Sequence, residues 1–461
     1  MPIAMAASPS YVSINRNIIV IIVFVICLSL TRSSSVTLPL RPHLSKPPNS
    51  DPFKLAASAS LTRAHHLKHG DKSSTSTLST PLYPKSYGAY SIDLSFGTPP
   101  QSIPMVFDTG SSLPWVPCTT HYLCSHCAFS NASKIKTFIP KLSSTAKLLA
   151  CTSPKCTSFF GSHTCPNCPH CPKTCPAYIL QYGSGSTAGF LLLDTLRFPQ
   201  ATLPDFLLGC SILSVRQPSG IGGFGRHSHS LPSQLFLKRF SYCLISHTFD
   251  DSTRSSQLLL QTTSTGDSKT HNLTYTPFYP NPPSSTNAAF SEYYYVTLRK
   301  VLVGPNSVKI PFPYLQPDSH GNGGTIVDSG TTFTYMERPV YDLLSQELVL
   351  QMHRYSRAKD IEDVSGLSPC YNVAGVKNVT FPGLTFQFKG GARMKLPLQN
   401  YFSFVGGSEV VCFTIVSDEG TKTTTGPAVI LGNYQQQNFH IEYDLENERF
   451  GFRPQKCTTK Y

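Results

Sequence analysis

The 461-residue sequence predicts an all-β protein, mostly strands with few short helices, on three observations. Tyr90, Ile92, Leu94 and Phe96 alternate with small or polar residues, the period-2 pattern of a half-buried strand, and similar runs recur to the end of the chain. The composition, 40% hydrophobic and 11% aromatic with abundant Pro, Thr and Ser, suits pleated structure better than a disordered or coiled chain. An eight-residue acidic motif also occurs once in each half. The length suits two domains of moderate size or one large β-rich body with a cleft, and does not choose between them.

At the start, Arg16 precedes an apolar run over residues 18–30, broken only by Ser29, and a polar, Ser-rich stretch follows. That is the layout of a signal peptide, expected over residues 1–32. The run of about 13 residues is short of the roughly 20 that a spanning helix needs, so a membrane anchor is the weaker reading. Its compact apolar core favours secretion over a plastid destination. No tail anchor or lipid-anchor signal is read at residues 456–461, which are polar. Residues 33–87, rich in Ser, Pro, Lys and His with one short helix expected around 54–68, read as a propeptide.

The net charge of +13 is unevenly spread. Residues 31–87 hold eight Lys or Arg against two Asp, and without that segment and the signal the body carries +6. The body has no Lys/Arg-rich run, which argues against a nucleic-acid partner and leaves open only a weak affinity for acidic polysaccharide.

The patterned body begins near Ala89 and turns at Gly97-Thr98-Pro99-Pro100. Further strands are expected at 105–107, 190–193, 293–303, 324–327, 410–416 and 439–443. The clearest helix starts at Pro339, where proline suits the first turn, and sets Leu343, Leu344, Leu348 and Leu350 around a partly apolar face. A shorter helix follows Ser230-Leu231-Pro232. Residues 250–283 are polar and read as a crossing between two patterned halves.

Met105-Val106-Phe107-Asp108-Thr109-Gly110-Ser111-Ser112 has a partner in Thr325-Ile326-Val327-Asp328-Ser329-Gly330-Thr331-Thr332. Each is an apolar strand, an acid, a hydroxyl residue, glycine and two more hydroxyl residues. One such triplet alone is usually a surface turn; two that match over eight positions are not. The strand delivers the acid to a buried floor, glycine lets the backbone approach the carboxylate, and the hydroxyls hold its outer oxygens. Two facing loops put two carboxyls at one site, where both cannot ionise and one proton is shared. Such a pair can activate a water and protonate a leaving amine.

These residues resemble the pepsin-like aspartic protease family over nearly all of residues 89–461. Trp115-Val116-Pro117 lies at the family's distance from the first acid. Tyr182-Gly183-Ser184-Gly185-Ser186 is similar to its flap, in which Tyr182 would close over substrate and bond to Trp115; a turn tyrosine is the weaker reading. The segments 220–225 and 429–433 are similar to those carrying the glycines behind each loop, Gly223 and Gly432. The resemblance implies a bilobal acid protease fold of two β-barrel-like lobes with a cleft between them, at residues 88–280 and 281–461. It implies Asp108 and Asp328 as catalytic, Tyr182, Gly183 and Ser184 as flap residues that bind substrate, and Thr109 and Ser329 as a crosswise brace. Gly110, Ser111, Trp115, Gly330 and Thr331 would support the acids.

Fifteen cysteines become fourteen once Cys27 goes with the signal, an even number that fits an oxidising compartment. Nine lie between the first acid and the flap, in an insertion over residues 118–175. Cys165, Cys168, Cys171 and Cys175 have the spacing of an iron-sulfur site, but interleaved prolines and the secretory signal point to disulfides, as they do for a zinc site on Cys124 and Cys127. An odd number in the insertion leaves at least one to pair outside or stay free, with Cys210 a candidate partner. The insertion resembles that of the nepenthesin-type plant branch, and the resemblance implies bridges Cys370 to Cys412 and Cys243 to Cys457. Three sequons, at Asn131, Asn272 and Asn378, agree with a secretory route.

The expected activity is hydrolysis of internal peptide bonds at acidic pH by a secreted monomer acting on proteins or peptides, without metal or cofactor. The rival is a catalytically silent protein of the same fold that binds secreted glycosidases.

Overall fold

The computed structural model describes residues 35–43, 52–68, 88–127, 135–161, 173–183, 185–198, 201–217, 219–247, 255–262, 272–282, 288–376, 378–407, 409–418 and 425–457. The signal segment, the Asn131 sequon, Ser184 and Cys165, Cys168 and Cys171 lie outside these residues.

In the N-terminal half, the alternating Ala89–Phe96 strand pairs antiparallel with Gln101–Asp108, Ile92 opposite Met105 and Leu94 opposite Ile103. All four side chains are buried. The turn between the strands has a cis Thr98-Pro99 bond, which proline makes accessible. Gln101–Asp108 then runs parallel to Gly220–Gly223, with Asp108 opposite Gly223. The longest pairing joins Gly185–Arg197 to Thr202–Val215, two strands of which only 190–193 were expected. The C-terminal half repeats the central device: Thr325–Val327 runs parallel to Val429–Leu431, with Val327 opposite Leu431. A Cβ on Gly223 would run into the Ser112 carbonyl, and one on Gly432 into the Thr332 carbonyl. Each strand thus passes directly behind its acid loop.

Strands from both halves meet in one sheet, in the order Thr274–Pro277, Arg449–Pro454, Phe439–Asp444, Arg239–Cys243, Ser256–Gln261 and Ser35–His43. Residues 250–283, read as a polar crossing with no strand assigned, therefore hold two strands. Ser256, Leu258 and Leu260 are buried and alternate with Gln257, Leu259 and Gln261, a short period-2 signal submerged in polar surroundings. The last strand, Ser35–His43, precedes the body and pairs with both Ser256–Gln261 and Ala89–Phe96.

The core beneath this sheet is aromatic. Phe240 stacks on Tyr443 at 4.4 Å, and Phe107 meets Phe224 edge-on at 4.7 Å and Tyr242 at 5.1 Å. Such pairs contribute about 0.5–1.5 kcal/mol each beyond the area they bury. Because Phe107 precedes Asp108, this packing sets where the first acid loop emerges.

The expected helices form at Pro52–Lys68, Leu231–Gln234 and Arg338–Gln351, the last with Pro339 in its first turn and Leu344 and Leu348 buried. The expected strand 293–303 is two strands, Tyr294–Val296 and Leu298–Val303, in different sheets. Disulfides join Cys118 to Cys210, Cys124 to Cys127, Cys156 to Cys175, Cys243 to Cys457 and Cys370 to Cys412. Cys210 thus takes a partner from the insertion. No cluster of His, Cys, Asp or Glu able to hold a metal occurs among the described residues.

Candidate active site

Asp108 ends one strand and Asp328 follows another, and both are buried. Gly110 N–H donates to Asp108 Oδ1 at 2.9 Å and Ser111 Oγ donates to Oδ2 at 2.6 Å. Gly330 N–H and Thr331 Oγ1 do the same for Asp328, at the same distances. These are charge-assisted bonds that hold each carboxylate in one plane. A side chain on Gly110 would collide with the Asp328 carboxyl and one on Gly330 with that of Asp108. Glycine at both positions is what lets the two loops close on one another.

The loops are also tied crosswise. Thr109 N–H donates to Ser329 Oγ at 3.1 Å and Ser329 N–H to Thr109 Oγ1 at 2.9 Å. Each hydroxyl passes its own proton to a carbonyl of the opposite strand, Thr109 to Val327 O and Ser329 to Phe107 O. Asn433 secures the second loop further by donating to Ser329 O at 3.0 Å. The hydroxyls and N–H groups of Thr109 and Ser329 all have partners, so burying this pair costs little.

Trp115 Nε1 donates to the Tyr182 hydroxyl at 2.8 Å. Tyr182 closes the Tyr178–Tyr182 strand and lies opposite Gly185, the register of a tight hairpin. Burial, with Asp108 nearby, keeps the Tyr182 phenol far above its usual range, so it stays a neutral donor.

Two residues of the site went unnoticed in the sequence. Arg63, on the Pro52–Lys68 helix, reaches both acids: Nη2 donates to Asp108 Oδ1 at 2.8 Å and Oδ2 at 3.0 Å, and Nε to Asp328 Oδ2 at 3.3 Å. The helix fits because the residues around Arg63 are small. Ala56, Ala57, Ala59, Ser60 and Ala64 are all buried, and Ser60 Oγ accepts the Phe333 N–H at 2.8 Å. One cation on an otherwise Ala/Ser helix face was the available signal. Glu292 is the second. It is half-buried and hydrogen-bonded to Ser112, and burial raises its carboxyl to about 7, with Asp108 adding to the rise and Ser112 and Arg63 opposing it. Nothing in its sequence context marks it.

The dyad is a coupled pair. Asp328 is raised above the ordinary carboxyl range by burial, Arg63 pulls against that, and Asp108 adds to it. One cation compensates two buried acids here. Without Arg63, charge repulsion between the acids would favour retention of one proton.

Family models described as the xylanase inhibitor N-terminal and C-terminal domains match residues 90–260 and 293–454. Among curated proteins, the aspartic proteinase nepenthesin-2 of Nepenthes gracilis is 33% identical, covering 83% of this chain and 81% of its own. A probable aspartyl protease of Arabidopsis thaliana is 31% identical, covering 80% and 82% respectively. In the solved structures, that titled "edgp" superposes with a TM-score of 0.65 at 18% identity, covering 93% of this chain and 97% of its own. The basic 7S globulin of soybean follows at 0.62 and 17%, covering 93% and 99%. Those two likenesses bear on the fold, and the fold is the bilobal acid-protease one. Two acid loops joined crosswise, a tryptophan-bonded tyrosine at a hairpin and relatives of this identity place the chain in the pepsin-like aspartic protease family, in its nepenthesin-type plant branch.

Proposed function

We propose that this chain is an aspartic endopeptidase, made as a self-inhibited precursor and active at acidic pH on internal bonds of protein or peptide substrates. The observation that carries this reading is the complete dyad, with both carboxylates buried, each held by a glycine N–H and a hydroxyl, and the loops braced crosswise. One carboxylate of the pair keeps the shared proton and polarises the scissile carbonyl, while the other draws a proton from a water held between them. The tetrahedral intermediate then collapses as the amine takes a proton from the dyad, and no covalent enzyme intermediate forms. Tyr182 closes over the substrate, which Gly183 and Ser184 help to bind. Residues 88–280 and 281–461 are the two lobes.

The precursor reading rests on Arg63. While the acids are charged, the guanidinium bonds both and the helix fills the space beside them. Arg63 lowers the Asp328 pKa, so helix binding is weaker when Asp328 is protonated. Its contribution is present above the pKa that Asp328 has in an emptied cleft, and is lost as pH falls through the lower, Arg63-bound value. Acid therefore releases the helix from the groups that need acid to work. Residues 33–87 are then the propeptide.

The disulfides, together with the exposed Asn272 and Asn378 of two sequons, support a secreted, glycosylated protein. The name of the matching family models favours a second reading, a silent inhibitor of secreted glycosidases. The deciding experiment is proteolysis of a denatured protein at acidic pH by the processed chain, by Asp108→Asn and by Asp328→Asn. Activity in the first and its loss in the other two support the protease; equal activity in all three would sink it.

A further inference from the structure

Folding gathers charges that the linear sequence keeps apart. Residues 293–317 and 364–408 contain no Asp or Glu, yet they carry Arg299, Lys300, Lys309, Lys377, Lys389, Arg393 and Lys395. Much of both stretches enters one four-stranded sheet, in the order Asn306–Val308, Leu298–Val303, Leu384–Phe388, Arg393–Lys395. Val301, Val303, Leu384, Phe386 and Met394 are buried on its inner face, where the Arg338–Gln351 helix packs. Strand side chains alternate, so the intervening residues face out.

Across the outer face, Lys300 lies opposite Gln387, which lies opposite Arg393. In the next row Leu302 lies opposite Thr385, which lies opposite Lys395. Lys389 N–H donates to Thr297 O at 2.9 Å, which sets Lys389 beside Arg299, and Lys309 follows the edge strand. Arg299, Lys300, Lys309, Lys389, Arg393 and Lys395 are all exposed, and among the described residues none forms an ion pair. Acids on the neighbouring elements are already engaged. Glu347 accepts from Asn306 at the edge strand, Asp342 pairs with Arg338, and Glu442 and Asp444 are held by Tyr275, Arg239 and Arg449.

Six like charges on one face repel each other and raise a local positive potential that a polyanion relieves. Neighbouring strands lie about 4.8 Å apart and same-face residues about 6.8 Å apart along a strand. The cations thus form a twisted array of rows that a linear polymer with regularly repeated anionic groups can follow. We propose that this face binds an acidic polysaccharide, a polyuronate bearing one carboxylate per sugar.

Three features favour that occupant. Gln387, Thr385 and Ser307 interleave with the cations and offer partners for sugar hydroxyls. No residue of the outward rows is aromatic, whereas single-stranded nucleic acid is held by stacking. The one aliphatic, Leu302, is half-buried and offers no wedge into lipid. A signal-peptide layout also directs the chain away from the cytoplasmic leaflet, where anionic lipid is concentrated. This surface is separate from the dyad, so it stands whether or not the chain is a protease.

The test measures binding of the full chain to immobilised polygalacturonate across a salt series. The face variant Lys300→Gln/Arg393→Gln/Lys395→Gln is compared with a control of equal charge, Arg338→Gln/Arg354→Gln/Lys359→Gln. Wild-type affinity should fall steeply with salt, the face variant should lose about tenfold or more, and the control should lose little. Fully methyl-esterified pectin, which lacks the carboxylates, should not bind. Arg393→Glu alone, expected to lose several-fold, carries the test if the triple variant misfolds. Wild-type affinity in the face variants, or an equal loss in the control, would overturn the proposal. So would duplex DNA or phosphatidylserine vesicles binding as tightly through the same residues.

Discussion

In both acid loops the carboxylate takes a 2.9 Å bond from a glycine N–H two residues on and a 2.6 Å bond from a hydroxyl three residues on. Around this shared grip the company differs. The Asp108 loop lies near the Trp115 and Tyr182 pair, and Glu292 is bonded to its Ser112. The Asp328 loop receives the Pro52–Lys68 helix, whose Ser60 takes the Phe333 N–H, and is secured from behind by Asn433. What the loops share is what holding two charges requires. What they do not share sets them apart: the first side meets the Trp115 and Tyr182 pair, the second side the Pro52–Lys68 helix, and Arg63 spans both.

The largest effects should come from the shared part. Asp108→Asn and Asp328→Asn should each lower kcat by about 10³-fold or more with the fold retained, since removing a positioned acid or base forfeits at least a factor of that order. If one of them kept even a tenth of wild-type activity in a peptidase assay, the loops would not be equivalent in chemistry. The brace comes next. Thr109→Val and Ser329→Ala each strand a buried N–H of the opposite loop, costing about 1–3 kcal/mol in urea unfolding. The double variant should cost less than the sum, because one brace is broken twice; strict additivity would mean that the loops are held independently.

The remaining predictions probe the asymmetry. Arg63→Gln should leave the intact precursor measurably active near pH 6, where wild type is silent, and the gap should narrow as pH falls and the acids protonate. A precursor that stays silent at every pH would show that the helix blocks by bulk alone. Glu292→Gln should have the smallest effect. With its carboxyl raised from 4.5 to about 7, the folded chain binds this proton more tightly than the unfolded one. Its contribution to stability is therefore complete below pH 4.5 and is lost as pH rises through about 7. The Gln variant should flatten that part of the melting temperature profile, and an unchanged profile would remove Glu292 from the account.

Much of this was legible in the residues. The paired motifs located both acids, and the period-2 runs located most strands around them. Arg63 was hidden because its one local mark, a cation on an Ala/Ser helix face, says nothing of what that face covers; only packing puts it over the carboxylates. The two strands within residues 250–283 were missed for a related reason: each is short, and each is stabilised by partners that lie far away in sequence. Conversely, residues 293–303 read as one strand, although Thr297 passes the chain from one sheet to another.

Local chemistry alone therefore specified the acids, their hydroxyl and glycine neighbours, the flap hairpin and the all-β character, because each depends on residues within a few positions of one another. Which cysteine joins Cys118, which cation covers the dyad, how the halves share a sheet and where six basic residues form a single face were decided by tertiary structure. Those contacts join residues tens to hundreds of positions apart, and their energy exists only once the chain has closed the loops between them.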